Sequence, residues 1–178
     1  MQSPPAFDLA RSVFVYADPL RDLILRFKHG DNLYLAPLFG NWLHQGYLSY
    51  YSHLPPPQMI IPIPLHRKKL IHRQYNQAAL IARQLQKHTK LPMVTDLLVR
   101  SKATKPQGHL SKKMRAENLK NAFTISQKSS FMAALPKTVL LIDDVMTSGA
   151  TLHQAARCLK RAGIERVTCL TLARVDRN

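Results

Sequence analysis

The chain has 178 residues, 46% of them hydrophobic, and carries 26 Lys and Arg against 10 Asp and Glu, a net charge of +16. That length and apolar share suit a single domain with a proper core, and the surplus of cations favours an anionic partner: phosphates, nucleic acid, or both. Two cysteines without a CxxC spacing exclude a zinc site built by this chain alone, no apolar run reaches membrane-spanning length, and Met1–Asp8 lacks the pattern of a signal peptide, so a cytoplasmic protein with free thiols and no membrane insertion is expected.

Within Arg11–Tyr16, the run Val13-Phe14-Val15 reads as a short strand. Asp18-Pro19 has the form of a helix start, with Asp at the N-cap and Pro at the first position. Leu20, Leu23, Ile24 and Phe27 then recur at helical spacing; Lys28 and His29 suit the negative end of the helix dipole, and Gly30 can end the helix. Asn32 to Tyr51 reads as a second helix, interrupted or restarted around Pro37 and Gly40. Its aromatics, Tyr34, Phe39, Trp42, Tyr47, Tyr50 and Tyr51, could stack nucleobases, but at helical spacing core is the better reading. Leu54-Pro55-Pro56-Pro57 is a stiff connector.

Met59 to Ile63 is apolar enough for a short strand, although Pro62 and Pro64 each remove a ladder donor. Leu65 to Arg73 reads as an irregular, densely basic loop. Tyr75-Asn76-Gln77 opens a helix to about His88, with Ala79, Leu80, Ala82 and Leu85 inward. Strand, cationic loop and helix make one βα unit. Thr95–Val99 should be a further strand. Arg100 to Leu110, polar, basic and broken by Pro and Gly, has the make-up of a lid. Ser111 can cap a short helix over Lys112–Leu119, Asn121–Ile125 reads as a strand, and Ser126–Pro136 as a surface connection.

The next stretch concentrates the chemistry. Val139 to Ile142 reads as a strand buried on both faces. Asp143 and Asp144 stand where it must emerge, the one place where two acids adjoin in an otherwise basic chain. Met146-Thr147-Ser148-Gly149 follows as a short loop, and Ala150 onward reads as a helix with Leu152, Ala155, Ala156 and Leu159 facing the sheet. Lys160, Arg161 and Gly163 suit its end, Val167–Leu172 is a last strand completing a βαβ unit, and Ala173–Asn178 is a polar tail. Backbone N–H groups at a helix start lack internal partners and can hold an anion, with the dipole's help. Gly149 lets the backbone come close and adopt positive φ, while Thr147, Ser148 and Thr151 add hydroxyl donors. Carboxylates would repel that anion, so Asp143 and Asp144 suit sugar hydroxyls, with a hydrated divalent cation as helper. The ligand so described has a phosphate at one end and a diol nearby, as a ribose 5-phosphate does.

Val139–Thr151 resembles the motif of type I phosphoribosyltransferases that binds phosphoribosyl pyrophosphate (PRPP). The resemblance implies an α/β fold with a mostly parallel twisted sheet flanked by helices, a small N-terminal helical hood (residues 1–55), and a PRPP-binding core (56–178). It also implies that Asp143 and Asp144 hold the ribose hydroxyls, that Thr147, Ser148, Gly149, Ala150 and Thr151 wrap the 5-phosphate, and that the first basic loop, through Arg67, Lys68 and Arg73, takes the pyrophosphate. The lid, with Lys105 and Gln107, would close over PRPP. Mg²⁺ would be held through water by the two aspartates, with no direct protein ligand. Hypoxanthine/guanine-type members carry an aspartate where Thr147 stands, which moves this chain away from them.

The likeness extends further. Ile61–His66, Arg73–Ala78, Lys105-Pro106-Gln107 with Leu110, Arg115, Asn118, Ala122-Phe123, and the Tyr16 to Lys28 stretch resemble the ComF family, phosphoribosyltransferase-like proteins associated with natural competence and DNA uptake. Many of its members carry a four-cysteine zinc ribbon ahead of this region, absent from this sequence, and many have Gly where Gln74 stands. The resemblance implies a phosphoribosyltransferase of unknown acceptor. A non-catalytic single-stranded-DNA-binding module, or a PRPP-sensing regulator, on the same fold is the alternative.

Overall fold

In the computed structural model, which describes residues 4–29, 32–102, 119–129 and 135–176, Val139 to Ile142 lie buried in the middle of a strand, β5 (Thr138–Met146). A strand apolar on both faces needs cover on both. Parallel neighbours flank it: β6 (Arg166–Arg174) on one side and β2 (Met59–Pro62) on the other. β1 (Leu9–Val15) pairs parallel with the far edge of β6, giving the sheet order β1-β6-β5-β2. The α/β class and parallel sheet expected from the sequence are what the chain adopts.

Helices cover the two faces. On one lies α5 (Ala150–Arg161), whose Leu152, Ala155, Ala156 and Leu159 pack with Val139, Leu141, Val167 and Cys169, the inward set its spacing predicts. On the other lie α1 (Leu20–His29), α2 (Leu35–Tyr51) and α4 (Gln77–Thr89), packed with Ile60, Leu140, Ile142, Leu170 and Leu172. The N-terminal stretch expected as a hood thus gives the sheet its edge strand β1 and lays α2 on one face. No described helix is long and apolar enough to cross a membrane.

Several sequence expectations are corrected. β1 is longer than Val13–Val15, and β6 continues through the buried Ala173 to Arg174, where a polar tail was expected. α2 runs unbroken. Pro37 sits in its first turn, where a missing N–H costs no helical bond. Gly40 lies where α2 and α4 touch: a Cβ there would meet Gln84 Cβ at 2.1 Å. Phe39 and Tyr51 are buried and Trp42, Tyr47 and Tyr50 pack against the same core, as expected, but Tyr34 is exposed.

The basic run is not an irregular loop. Arg67–Arg73 forms a helix, α3, with no buried residue; His66 Nδ1 caps it by accepting from Lys68 N–H at 3.3 Å. Lys, Arg and Leu are good helix formers, and without an apolar stripe nothing in the pattern announces the helix. Gln74 ends it at φ 67, the left-handed geometry that glycine adopts freely. In α4 the buried face is Gln77, Ala78, Ile81, Ala82 and Leu85, so Ala79 and Leu80 are only partly buried.

The remaining strands, β3 (Leu98–Arg100) and β4 (Phe123–Ile125), pair antiparallel as a separate small sheet; β3 begins later than the expected Thr95. The Gly30 helix end, most of the lid, and nearly all of the helix expected over 112–119 lie outside the described residues.

Candidate functional site

β5 keeps its pairing with β6 beyond the acidic pair: Asp143 faces Thr171 and Met146 faces Arg174 in register. The strand therefore carries two carboxylates on rigid backbone rather than on a loop. Past it, Gly149 at φ 74 turns the chain into α5, Ser148 Oγ accepts from Ala150 N–H at 3.4 Å, and Gly149 C=O accepts from His153 N–H at 2.8 Å. The turn places the start of α5 beside the carboxylates at the carboxyl end of the parallel sheet, where α/β proteins bind ligands.

A cleft of about 250 Å³ opens there. Asp143, Asp144, Thr147, Gly149 and Thr151 line one wall, with Lys28 from α1, Lys69 and Arg73 from α3, and Arg100 from β3. Asp144 is held by Lys28, Nζ to Oδ2 3.1 Å, and its Oδ1 accepts from Val145 N–H at 2.6 Å. Asp143 Oδ1 accepts from Asp144 N–H at 2.9 Å.

Burial, then the charge of Asp144, pushes Asp143 up from its ordinary 3.8 to about 7; the Asp144 N–H bond and the cations Lys28 and Arg100 oppose the rise. Burial lowers Lys69, and Arg73, Arg100 and Lys28 lower it further, because each is another positive charge nearby. His29 is lowered by burial and by the same neighbours, Arg73, Lys28 and Lys69 among them. A strongly cationic rim therefore faces a compact acidic pair.

The structure thus gathers Asp143, Asp144, Arg73, Thr147, Gly149 and Thr151 around one cleft. Ser148 lines an adjacent hollow with Phe7, and Ala150 begins α5 behind the turn. Arg67 and Lys68 are exposed on α3 and do not line the cleft; Lys69 and Arg73, one helical turn apart, do. Lys105 and Gln107 lie outside the described residues. Sequence reasoning missed Lys28, Lys69 and Arg100. Reading 67–73 as a helix would have grouped Lys69 with Arg73; Lys28 and Arg100 arrive through tertiary packing and carried no local signal.

Among the described residues no group of three His, Cys, Asp or Glu side chains could cage a metal. That donor set fits Mg²⁺ only in its usual enzymatic form, carried by one or two carboxylates together with water and ligand phosphate oxygens. Asp143 and Asp144 are the carboxylates that could do so.

A family profile described as the phosphoribosyl transferase domain matches residues 76–178. Competence protein F of Haemophilus influenzae is 34% identical over 185 residues, covering 98% of this chain and 76% of that protein. DNA utilization protein YhgH of Escherichia coli is 28% identical over 98% of this chain and 75% of its own length. Competence protein ComFC of Bacillus subtilis is 32% identical over 86% of this chain and 58% of its own length. With the parallel sheet, the acidic pair and the glycine turn arranged as described, the chain belongs to the ComF family of phosphoribosyl transferase-domain proteins.

Proposed function

We propose that the protein binds PRPP in the cleft at the end of β5 and acts as a phosphoribosyltransferase on an acceptor not yet identified. The observation that carries this reading is the union, in one cleft, of two strand-borne carboxylates, a positive-φ glycine turn at a helix start, and four cations from three elements. In this reading the start of α5 holds the 5-phosphate, Thr147 and Thr151 supply hydroxyls to it, and Asp143 and Asp144 accept from the ribose diol. Mg²⁺, when bound, offsets the charge of the phosphate oxygens. An acceptor attacks the anomeric carbon and the bond to pyrophosphate breaks. Lys69 and Arg73 lie where they can stabilise the negative charge that grows on that leaving group, a stabilisation useful because it strengthens as the bond breaks. No residue lining the cleft is assigned as the base that takes the acceptor's proton.

Similar proteins named for competence and for DNA utilization support a role for the protein in handling DNA. A second reading gives the same fold to single-stranded DNA. It is favoured by the +16 charge and by Arg67 and Lys68, which stand exposed on α3 outside the cleft and could track a phosphate backbone. Two assays separate the readings. Release of pyrophosphate from PRPP on adding nucleobases or amides supports the transferase. Binding of single-stranded DNA that weakens steeply with salt and ignores PRPP supports the module and contradicts the transferase as the main activity. PRPP binding without turnover on any acceptor would point to a sensor.

A further inference from the structure

The run Tyr75-Asn76-Gln77, at the junction of α3 and α4, does something the transferase reading does not use. Tyr75 Oη donates to the carbonyl of Phe27 at 2.7 Å, and Gln77 Nε2 donates to the carbonyl of Lys28 at 3.4 Å. Both carbonyls belong to the last turn of α1, where the helix itself offers no N–H to accept from. Between them Asn76 Nδ2 donates to Ile63 C=O at 3.0 Å, just past β2. Gln77 is buried at 2% exposure, a position a polar amide keeps only when bonded. Tyr75 and Gln77 thus hold the end of α1, while Asn76 between them ties the same run to Ile63 in the cleft lining. Phe27, fully buried against Phe39 and Tyr75, anchors the turn from beneath.

What that fastening delivers is Lys28. Its ammonium reaches Asp144 Oδ2 while Oδ1 is already taken by Val145 N–H. Both side chains are largely shielded, 20% and 13% exposed, so the pair is not a solvent-screened surface contact. Both oxygens of Asp144 are therefore engaged before a ligand enters. Each carboxylate oxygen keeps a further lone pair, so a sugar diol can approach Oδ2, but it competes there with the ammonium, and a shielded ammonium leaves a carboxylate readily only for another anion.

Resting on the PRPP reading, we propose that Lys28 is an exchangeable counter-ion of Asp144 that passes to the anionic group on the ligand's anomeric carbon, so that the cleft engages the diol fully only when that group is present. Tyr75 and Gln77 are positioning residues that hold Lys28 within reach of both. The device makes the site select a sugar phosphate bearing a 1-diphosphate over the same sugar phosphate without one.

Calorimetric titration of PRPP and of ribose 5-phosphate, with Mg²⁺, into the wild type, Lys28→Met and Tyr75→Phe tests it. The expected result is that Lys28→Met shrinks the preference for PRPP by about tenfold or more, the scale of one charge-assisted hydrogen bond, with ribose 5-phosphate binding unchanged or tighter. Tyr75→Phe should shift the ratio the same way by less. An unchanged ratio in Lys28→Met, or equal weakening of both ligands, overturns the assignment while leaving PRPP binding intact. Wild-type protein that binds neither PRPP nor inorganic pyrophosphate overturns the PRPP reading and this assignment with it. Should Lys28→Met fail to melt cooperatively, Lys28→Gln, which also removes the charge but keeps a polar head, is titrated instead, and the same two outcomes decide.

Discussion

The backbone N–H of Asp144 donates to the carboxylate of Asp143 at 2.9 Å, so the acidic pair is tied within itself as well as to Lys28. That bond lowers the pKa of Asp143 but does not offset burial and the neighbouring charge, which together raise it from 3.8 to about 7. The unfolded chain ionises the same group near its ordinary value. Stability contributed by the protonated form is complete below about pH 4 and lost as pH rises through about 7. Asp143→Asn cannot ionise and escapes that loss. In thermal melts with EDTA, the advantage of Asp143→Asn over the wild type should grow from about pH 4 and level off above about pH 7. A constant difference across that window would show that Asp143 keeps an ordinary carboxylate in the folded protein.

Gly149 sits at φ 74, and a Cβ there would find only ordinary contacts, Met146 Sδ at 3.9 Å and Phe7 at 4.0 Å. The cost of Gly149→Ala is therefore conformational, about 1–2 kcal/mol. Denaturant unfolding should show that loss, and phosphate-bearing ligands should bind more weakly because the turn that presents the start of α5 is altered. Unchanged stability would mean the turn relaxes freely.

Gly40 has the opposite problem, space rather than φ. Its missing Cβ lets α2 lie directly against Gln84 of α4, whose Cβ an added methyl would overlap. Gly40→Ala should destabilise by about 1–3 kcal/mol, the usual penalty for overpacking, although alanine is the better helix former. A stabilised variant would show that the two helices can separate without loss.

Gln74 holds the left-handed position after α3 that suits glycine. Gln74→Gly removes side-chain strain at the cost of a Gln74 Nε2 bond to Ile71 C=O at 3.2 Å on the exposed surface. The balance should favour glycine by about 0.5–1 kcal/mol in equilibrium unfolding. A less stable variant would assign the larger share to the side-chain bond.

These positions also show what the sequence could reveal. The buried run Val139–Ile142, the inward face of α5 and the glycine turn were legible because each is a local pattern: four apolar residues, a helical period, a residue type needed at one φ. α3 was not, because a helix that buries nothing has no stripe to read. Gly40 looked like a break because its purpose lies on another helix. The acidic pair and its glycine were visible as a contiguous motif, whereas Lys28, Lys69 and Arg100 reach the cleft from three elements far apart in the chain. Nothing near Lys28 in sequence points to Asp144; the link runs through Tyr75 and Gln77, which grip backbone carbonyls that no pattern of side chains reports.

The proposed activity depends on two strand-borne aspartates holding a ribose diol while the start of α5 holds its phosphate. Titrating PRPP with Mg²⁺ into the Asp143→Asn/Asp144→Asn variant, beside the wild type and with melting curves to establish folding, tests it most directly. Loss of measurable binding in a folded variant is the predicted result. A folded variant that binds PRPP with the affinity of the wild type would contradict it.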